Sequence, residues 1–210
     1  TLRKDFDAPN AKFVCATLGQ TEKGAEGTEG QILEAQLAVD GKTGKYPEFD
    51  KIWEDDVLRV VAIFGKYEDG ATSASDAGIS AYNRYLRVTQ AALAGHGVTT
   101  TPADLQRNPG VDEPDVTFEA EIAAGKRIVV TALLVDNVRT AGRSFNARYA
   151  ELSKRADLIA YDGHVGLGSN IRALARKGSW VEGQYAVVFM NGCDTYAYVD
   201  SALADAHAAV

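Results

Sequence analysis

Residues 158–164 read LIAYDGH, and residues 185–193 read YAVVFMNGC. Each stretch is a short apolar run that stops at a glycine and is followed at once by a reactive side chain, His164 in the first and Cys193 in the second. Apolar runs of this kind are typical of strands buried on both faces of a parallel sheet. If the two strands lie side by side, they bring an imidazole and a thiol to one edge of one sheet, as a Cys–His nucleophilic pair requires.

The sequence before this pair predicts more strands of the same sheet. Residues 57–64 form a near-continuous apolar run that ends at Gly65. Residues 116–122 alternate between apolar and polar side chains, and residues 128–135 are apolar again after Ala124-Gly125. The alternation and the turn residues predict a hairpin whose second arm enters the main sheet.

Helical patterns separate these strands. Ser75 or Asp76 is predicted to cap one helix, Ser144 to cap a second, and residues 169–177 to form a third, while residues 99–114 are predicted to be a loop. Strands that alternate with helices indicate an α/β fold with a mainly parallel central sheet flanked by helices. The chain after Cys193 is expected to continue as one helix from Asp194.

Two parts of the chain differ in how regular their pattern of predicted strands and helices is. Residues 1–56 are predicted to be a small β-rich N-terminal segment with strands at 12–18 and 32–39, separated by a Gly-rich loop. Residues 57–210 are predicted to be the α/β domain. A chain of 210 residues is long enough for this arrangement.

The overall composition excludes several classes of function. A net charge of −7 argues against nucleic acid or an anionic membrane as the main partner. No apolar run approaches the roughly 20 residues of a membrane span. The two cysteines, Cys15 and Cys193, do not form a disulfide framework, and Cys15 is expected to be a core residue. With three histidines and no paired cysteines, neither a metal nor a cofactor is expected.

The pair of strand ends resembles the caspase-like cysteine peptidases of clan CD, the group of caspases, gingipains, clostripain, separase and CHAT proteins. In that family one hydrophobic strand ends in His-Gly and the next ends in the nucleophilic cysteine. The resemblance assigns the general base to His164 and the nucleophile to Cys193, and the run Gly192-Cys193-Asp194-Thr195 is similar to the Ala-Cys-Glu-Thr of CHAT proteins. It covers about residues 57–198 and implies a cysteine endopeptidase whose partner is a protein or peptide substrate.

The same resemblance assigns backbone donors. Free N–H groups at a Gly-rich turn can stabilise a developing oxyanion. In the family these donors belong to the nucleophile and to the glycine after the histidine. Val165 stands where the family has that glycine, and it keeps an N–H. Gly163 and Gly166 flank the base, and Gly192 precedes the nucleophile.

Carboxylates near the strand ends are candidates for substrate binding. Asp136 follows the strand at 128–135 and is expected either to orient His164 or to bind a basic substrate side chain. Glu68 and Asp69, after the strand at 57–64, are rival candidates for these roles. Asp162 and Asp194 are further candidates for substrate binding. Solvated loop carboxylates are the simpler interpretation, and nearby arginines would equally favour an acidic substrate, so specificity stays open.

Two alternative functions stay open at this point. The Gly-rich loop 163–168 followed by a helix could bind a nucleotide or another small molecule. Its glycine spacing, however, does not match the dinucleotide fingerprint. The chain could also be a catalytically inactive caspase-like relative that binds partners.

The ends of the chain lead to two further expectations. The chain begins at Thr1 and not at Met, so we expect a processed form. The sequence does not determine the cellular compartment. Our expectation is an exported bacterial protein from which the signal peptide has been removed. Caspase-like domains continue with more strands that build the substrate pocket. A second chain, or a missing C-terminal segment, is therefore expected to complete the pocket.

Overall fold

A computed structural model of the protein describes residues 12–15, 33–36, 47–193, 195 and 200–210. The chain divides into two compact units, Thr1–Pro47 and Glu48–Val210. In the first unit, β1 (Lys12–Cys15) pairs antiparallel with β2 (Leu33–Gln36). The second unit begins nine residues before the predicted boundary at residue 57 because it includes the short helix α1 (Phe49–Ile52), which precedes the first strand of the main sheet. The expectation that Cys15 is a core residue concerns a side chain outside the described residues.

The second unit contains a six-stranded mixed sheet. Its strands are β3 (Val57–Gly65), β4 (Thr99–Thr101), β5 (Asp115–Ala123), β6 (Lys126–Val135), β7 (Leu158–Asp162) and β8 (Val187–Asn191). In the order β4-β5-β6-β3-β7-β8, the pairs from β6 to β8 are parallel and the pairs from β4 to β6 are antiparallel. The predicted α/β class with a mainly parallel sheet is confirmed. The predicted hairpin supplies the antiparallel pair of β5 and β6, and β4 adds the second antiparallel pair.

One face of the sheet is covered by α2 (Ala77–Leu93). The carboxylate of Asp76 caps this helix by accepting hydrogen bonds from the first turn, so Asp76 and not Ser75 is the cap. The side chains at helical spacing that pack on the sheet are buried, and they are Ile79, Tyr82, Leu86 and Leu93. Burial of this apolar stripe, rather than helix propensity, holds the helix against the sheet.

The other face is covered by α3 (Arg143–Ser153) and α4 (Ser169–Lys177). The bounds of α4 agree with the predicted 169–177. The predicted cap of α3 is wrong, because Gly142 occupies the N-cap position without a side-chain bond and Ser144 lies inside the first turn. An extended backbone at Gly142 starts the helix earlier than a serine cap would have done.

Two further segments differ from the sequence prediction. The expected loop at 99–114 contains β4, three threonines that pair antiparallel with β5. The last helix, α5 (Ala202–Ala208), is not continuous with Cys193, because Asp200 lies outside any helix. Asp194 and residues 196–199 of the predicted helix lie outside the described residues. Within the described part of the chain, no helix combines the length and the apolar character needed to cross a membrane.

Asp157 directly precedes β7 and ties this strand to β3. Its carboxylate accepts a hydrogen bond from the Arg59 N–H at 2.6 Å, and its own N–H donates to the Arg59 carbonyl. Burial raises the pKa of this carboxyl from 3.8 to about 6, although the Arg59 hydrogen bond acts in the opposite direction. A raised pKa in the folded state means that this group stabilises the fold fully below about pH 4 and that the contribution is lost as the pH rises through about 6.

Asp157→Asn is therefore expected to raise the melting temperature at pH 7 and to reduce its fall between pH 4 and pH 7. The amide carbonyl still accepts from the Arg59 N–H and carries no buried charge. Thermal unfolding at both pH values measures the effect, with Asp104→Asn at an exposed position as the control. A lower melting temperature of the Asp157 variant at pH 7 would contradict the expectation.

Candidate functional site

The C-terminal ends of β7 and β8 lie side by side. The two strands are parallel, Asp162 is paired in register with Asn191, and the Gly163 N–H donates to the Asn191 carbonyl at 3.1 Å. His164 and Cys193 each follow their paired residue by two positions, and both are exposed. The sheet therefore brings the imidazole and the thiol to the same edge, on neighbouring strands.

The imidazole of His164 is oriented by a backbone carbonyl. Its Nε2 lies 3.1 Å from the carbonyl oxygen of Tyr67, and the two rings are 4.4 Å apart between centroids. A carbonyl oxygen can only accept, so Nε2 carries the proton and Nδ1 of the neutral ring is left as an acceptor. Among the described residues, no hydrogen bond joins the imidazole to the Cys193 thiol.

The backbone of His164 is fixed by hydrogen bonds from two buried side chains. Its carbonyl accepts from the hydroxyl of Tyr161 at 2.7 Å and from the side-chain amide of Asn170 at 2.6 Å. Tyr161 and Asn170 are both buried. Burial raises the pKa of Tyr161 to about 12, so its hydroxyl remains a donor at neutral pH.

Tyr161→Phe removes one of these two donors and is expected to lower the free energy of unfolding by about 1 kcal/mol, the usual net contribution of a hydrogen bond. Asn170 still satisfies the His164 carbonyl, which keeps the loss small. Urea unfolding measures it. Tyr149→Phe is the matched control, because the buried Tyr149 hydroxyl has no hydrogen-bond partner in the described part of the chain and its removal should be neutral or stabilising. Equal effects of the two substitutions would contradict this account.

The four backbone positions named as oxyanion donors differ in what they can offer. The Gly163 N–H is used by the sheet, which leaves it unable to bind an oxyanion. The N–H groups of Val165 and Gly166 make no hydrogen bond within the described residues. Val165 is buried, and the turn that follows keeps positive φ values at Gly166, Leu167 and Gly168. Of the positions on the His164 side, Val165 and Gly166 are therefore the ones whose N–H groups are not used within the described residues.

Gly192 is needed because the two strand ends approach closely. A Cβ at this position would lie 2.5 Å from the Gly163 carbonyl oxygen and 2.5 Å from Cγ2 of Val165. Its own carbonyl accepts from the Thr195 hydroxyl at 2.7 Å. Cys193 follows as a free, exposed thiol. The prediction that Cys193 opens a helix concerns Asp194 as well, and Asp194 lies outside the described residues.

The candidate carboxylates have local partners. Asp136 accepts from Lys66 Nζ at 2.7 Å and from the Gly70 N–H at 3.2 Å, and the Lys66 hydrogen bond lowers the pKa of its carboxyl. Asp136 thus fixes the loop after β3. Among the described residues, the hydrogen bond to the His164 ring comes from the Tyr67 carbonyl and not from Asp136. The alternative, that Asp136 binds a basic substrate side chain, stays a prediction. Asp162 accepts from the Asn191 amide at 3.0 Å and joins the two strand ends. No group of potential metal ligands occurs among the described residues.

Sequence reasoning missed three participants in this site. Tyr67 acts through its main-chain carbonyl, which no side-chain motif can reveal. Tyr161 was assigned to a strand and Asn170 to a helix, but neither was linked to His164. The signal for Asn170 was its place in the first turn of a helix directly after the Gly-rich turn, where a polar side chain can reach back to the preceding loop.

Comparison of the chain with family models, with curated proteins and with solved structures found no match.

Proposed function

We propose that the protein is a cysteine endopeptidase in which His164 is the general base and Cys193 the nucleophile. The observation that carries the proposal is the Tyr67 carbonyl at His164 Nε2, on a strand end next to the one that bears Cys193. This contact leaves Nδ1 as the proton acceptor, and a base with a fixed tautomer is what a thiol nucleophile needs. The caspase-like form of the α/β fold belongs to the same proposal.

The reaction proceeds in two halves. Nδ1 of His164 takes the proton from Cys193 Sγ, and the thiolate attacks the peptide carbonyl to form a tetrahedral oxyanion. The imidazolium then gives this proton to the leaving amine, and a thioester to Cys193 remains. Water, deprotonated by the same imidazole, attacks the thioester and releases the carboxylic acid and the free thiol. No cofactor takes part in these steps.

The oxyanion is stabilised by backbone N–H groups. Val165 and Gly166 are the donors on one side because neither N–H is used by the described residues. The N–H of Cys193 is the donor on the other side. Removing a single donor of this kind costs roughly 10²–10³ in kcat in well-studied hydrolases. The bonds that fix the His164 loop hold these groups in place before the substrate arrives.

A peptide carrying a thiol-reactive electrophile tests the proposal directly. We expect intact-protein and peptide mass spectrometry to find the adduct on Cys193 and not on Cys15. His164→Ala should slow this labelling, because the base no longer removes the thiol proton. A small alkylating reagent at high pH serves as the control for thiol accessibility. Labelling of Cys193 that does not depend on His164, together with no cleavage of any peptide library, would contradict the proposed function.

A further inference from the structure

The carbonyl that holds His164 belongs to the peptide unit between Tyr67 and Glu68. A peptide unit is planar and trans, so its C=O and its N–H point in opposite directions. The C=O of Tyr67 faces His164 Nε2 at 3.1 Å. The N–H of Glu68 lies in the same peptide plane, points in the opposite direction and donates to Asp76 Oδ2 at 3.0 Å. One carboxylate and one imidazole therefore contact the two ends of a single peptide unit.

Asp76 makes more contacts than a helix cap needs. Its Oδ1 accepts from the N–H groups of Gly78 at 2.9 Å and Ile79 at 3.1 Å, which is the capping of α2. The carboxylate also accepts from the N–H of Tyr67, at 3.0 Å to Oδ2. Burial acts to raise the pKa of this carboxyl, but the four backbone donors outweigh it and lower the pKa, so the group is ionised at neutral pH.

From this geometry we propose that Asp76 is a positioning residue for His164. It fixes the Tyr67–Glu68 peptide so that the Tyr67 carbonyl holds the Nε2 proton of His164 and Nδ1 stays available as the base. The role in catalysis rests on the proposed peptidase function, whereas the effect on the imidazole does not. A carboxylate on the N–H side of a peptide also strengthens the carbonyl on the other side as an acceptor, because hydrogen bonds in a chain polarise one another.

Asp76→Asn separates this role from helix capping. Asparagine is as good an N-cap as aspartate, so the amide oxygen can keep the bonds to Gly78 and Ile79. Its amide nitrogen then faces the N–H groups of Tyr67 and Glu68, and two donors cannot bond to each other. Asp76→Ser is the second variant, because serine caps a helix but its single hydroxyl is too short to serve both pairs of donors. Ser73→Ala is the control in the same loop, since among the described residues its hydroxyl bonds to Ser75 alone.

Nitrogen NMR of the imidazole in the full chain gives the readout, since the two tautomers have distinct ¹⁵N shifts. We expect one Nε2–H tautomer for His164 in the unaltered protein and in Ser73→Ala, and a mixture in both Asp76 variants. The melting temperature of Asp76→Asn should fall at neutral pH, because the ionised acceptor and the bonds to the Tyr67 and Glu68 N–H groups are lost while the helix cap is kept. For peptide cleavage, kcat should fall roughly ten- to a hundredfold with KM nearly constant, less than the 10²–10⁴ that a general base contributes in full.

The two proposals can fail separately. An unchanged Nε2–H tautomer in Asp76→Asn and in Asp76→Ser would overturn the positioning role, whatever the activity. If the unaltered protein cleaves no peptide but the tautomer still changes in the Asp76 variants, the peptidase function fails and the structural role of Asp76 is retained. If one variant does not fold, the other decides, because the two keep the helix cap by different atoms.

Discussion

Cys193→Ala is expected to lower kcat for peptide cleavage by roughly 10⁵-fold or more, the scale of loss when a covalent nucleophile is removed from a hydrolase. The thiol is exposed, so its removal takes little packing from the fold. Circular dichroism and thermal unfolding should therefore be nearly unchanged. Steady-state kinetics on a fluorogenic peptide found in a library screen measures the loss.

Cys15→Ala is the matched control for this experiment. From its place in an apolar strand, we expect Cys15 to contribute to packing, so that its substitution lowers stability and spares activity. The reverse pattern, with activity lost at position 15 and kept at position 193, would show that the wrong cysteine was assigned. Loss of activity together with unfolding of Cys193→Ala would leave the chemistry to the electrophile experiment, which uses the unaltered chain.

The core of the sheet was predictable because its signal is local and redundant. Residues 57–64 are apolar except for Arg59 and residues 158–161 are apolar throughout, and such runs have few places in a fold other than the centre of a parallel sheet. The turn at Ala124-Gly125 and the alternation before it fixed the hairpin of β5 and β6. For α2, the capping residue Asp76 and the helical spacing of the apolar residues after it both predict the same helix.

Features decided by the environment were not predictable. The three threonines of β4 are residues that favour strands, but three residues are too few to predict one without the open edge of β5 with which they pair. The start of α3 was decided by the extended backbone at Gly142 rather than by the better capping side chain nearby, Ser144.

The candidate site also has features that the sequence predicts and features that depend on the folded environment. The neighbouring strand ends that carry His164 and Cys193 were predictable, because each residue follows an apolar run that stops at a glycine. The contacts that orient the imidazole were not, because one partner is a main-chain carbonyl and Asp76 was recognised only as a possible cap. A capping motif accounts for the bonds to Gly78 and Ile79. The bonds of Asp76 to the loop after β3 depend on how that loop folds back, which only the three-dimensional structure supplies.

Gly192→Ala is expected to disrupt the edge of the sheet that carries both reactive groups. The added Cβ would meet the Gly163 carbonyl oxygen and the Val165 side chain at 2.5 Å each, well inside van der Waals contact. Overpacking of this kind typically destabilises a fold by about 1–3 kcal/mol because the neighbours must move. Here the neighbours are the backbone beside His164 and a residue proposed as an oxyanion donor. A displacement of about 1 Å in such a site can lower the rate about 10²-fold.

Gly95→Ala is the matched control, because a Cβ at Gly95 would have no neighbour within 4 Å. Urea unfolding and the rate of electrophile labelling at Cys193 should both change in Gly192→Ala and stay nearly constant in Gly95→Ala. The labelling rate is the more informative readout, since a shift of the β8 end away from β7 separates the thiol from the imidazole even when the rest of the sheet stays folded. If Gly192→Ala were as stable and as reactive as the unaltered chain, the β7 and β8 ends could not be as closely packed as the structure has them, and the pairing of His164 with Cys193 would lose its structural basis.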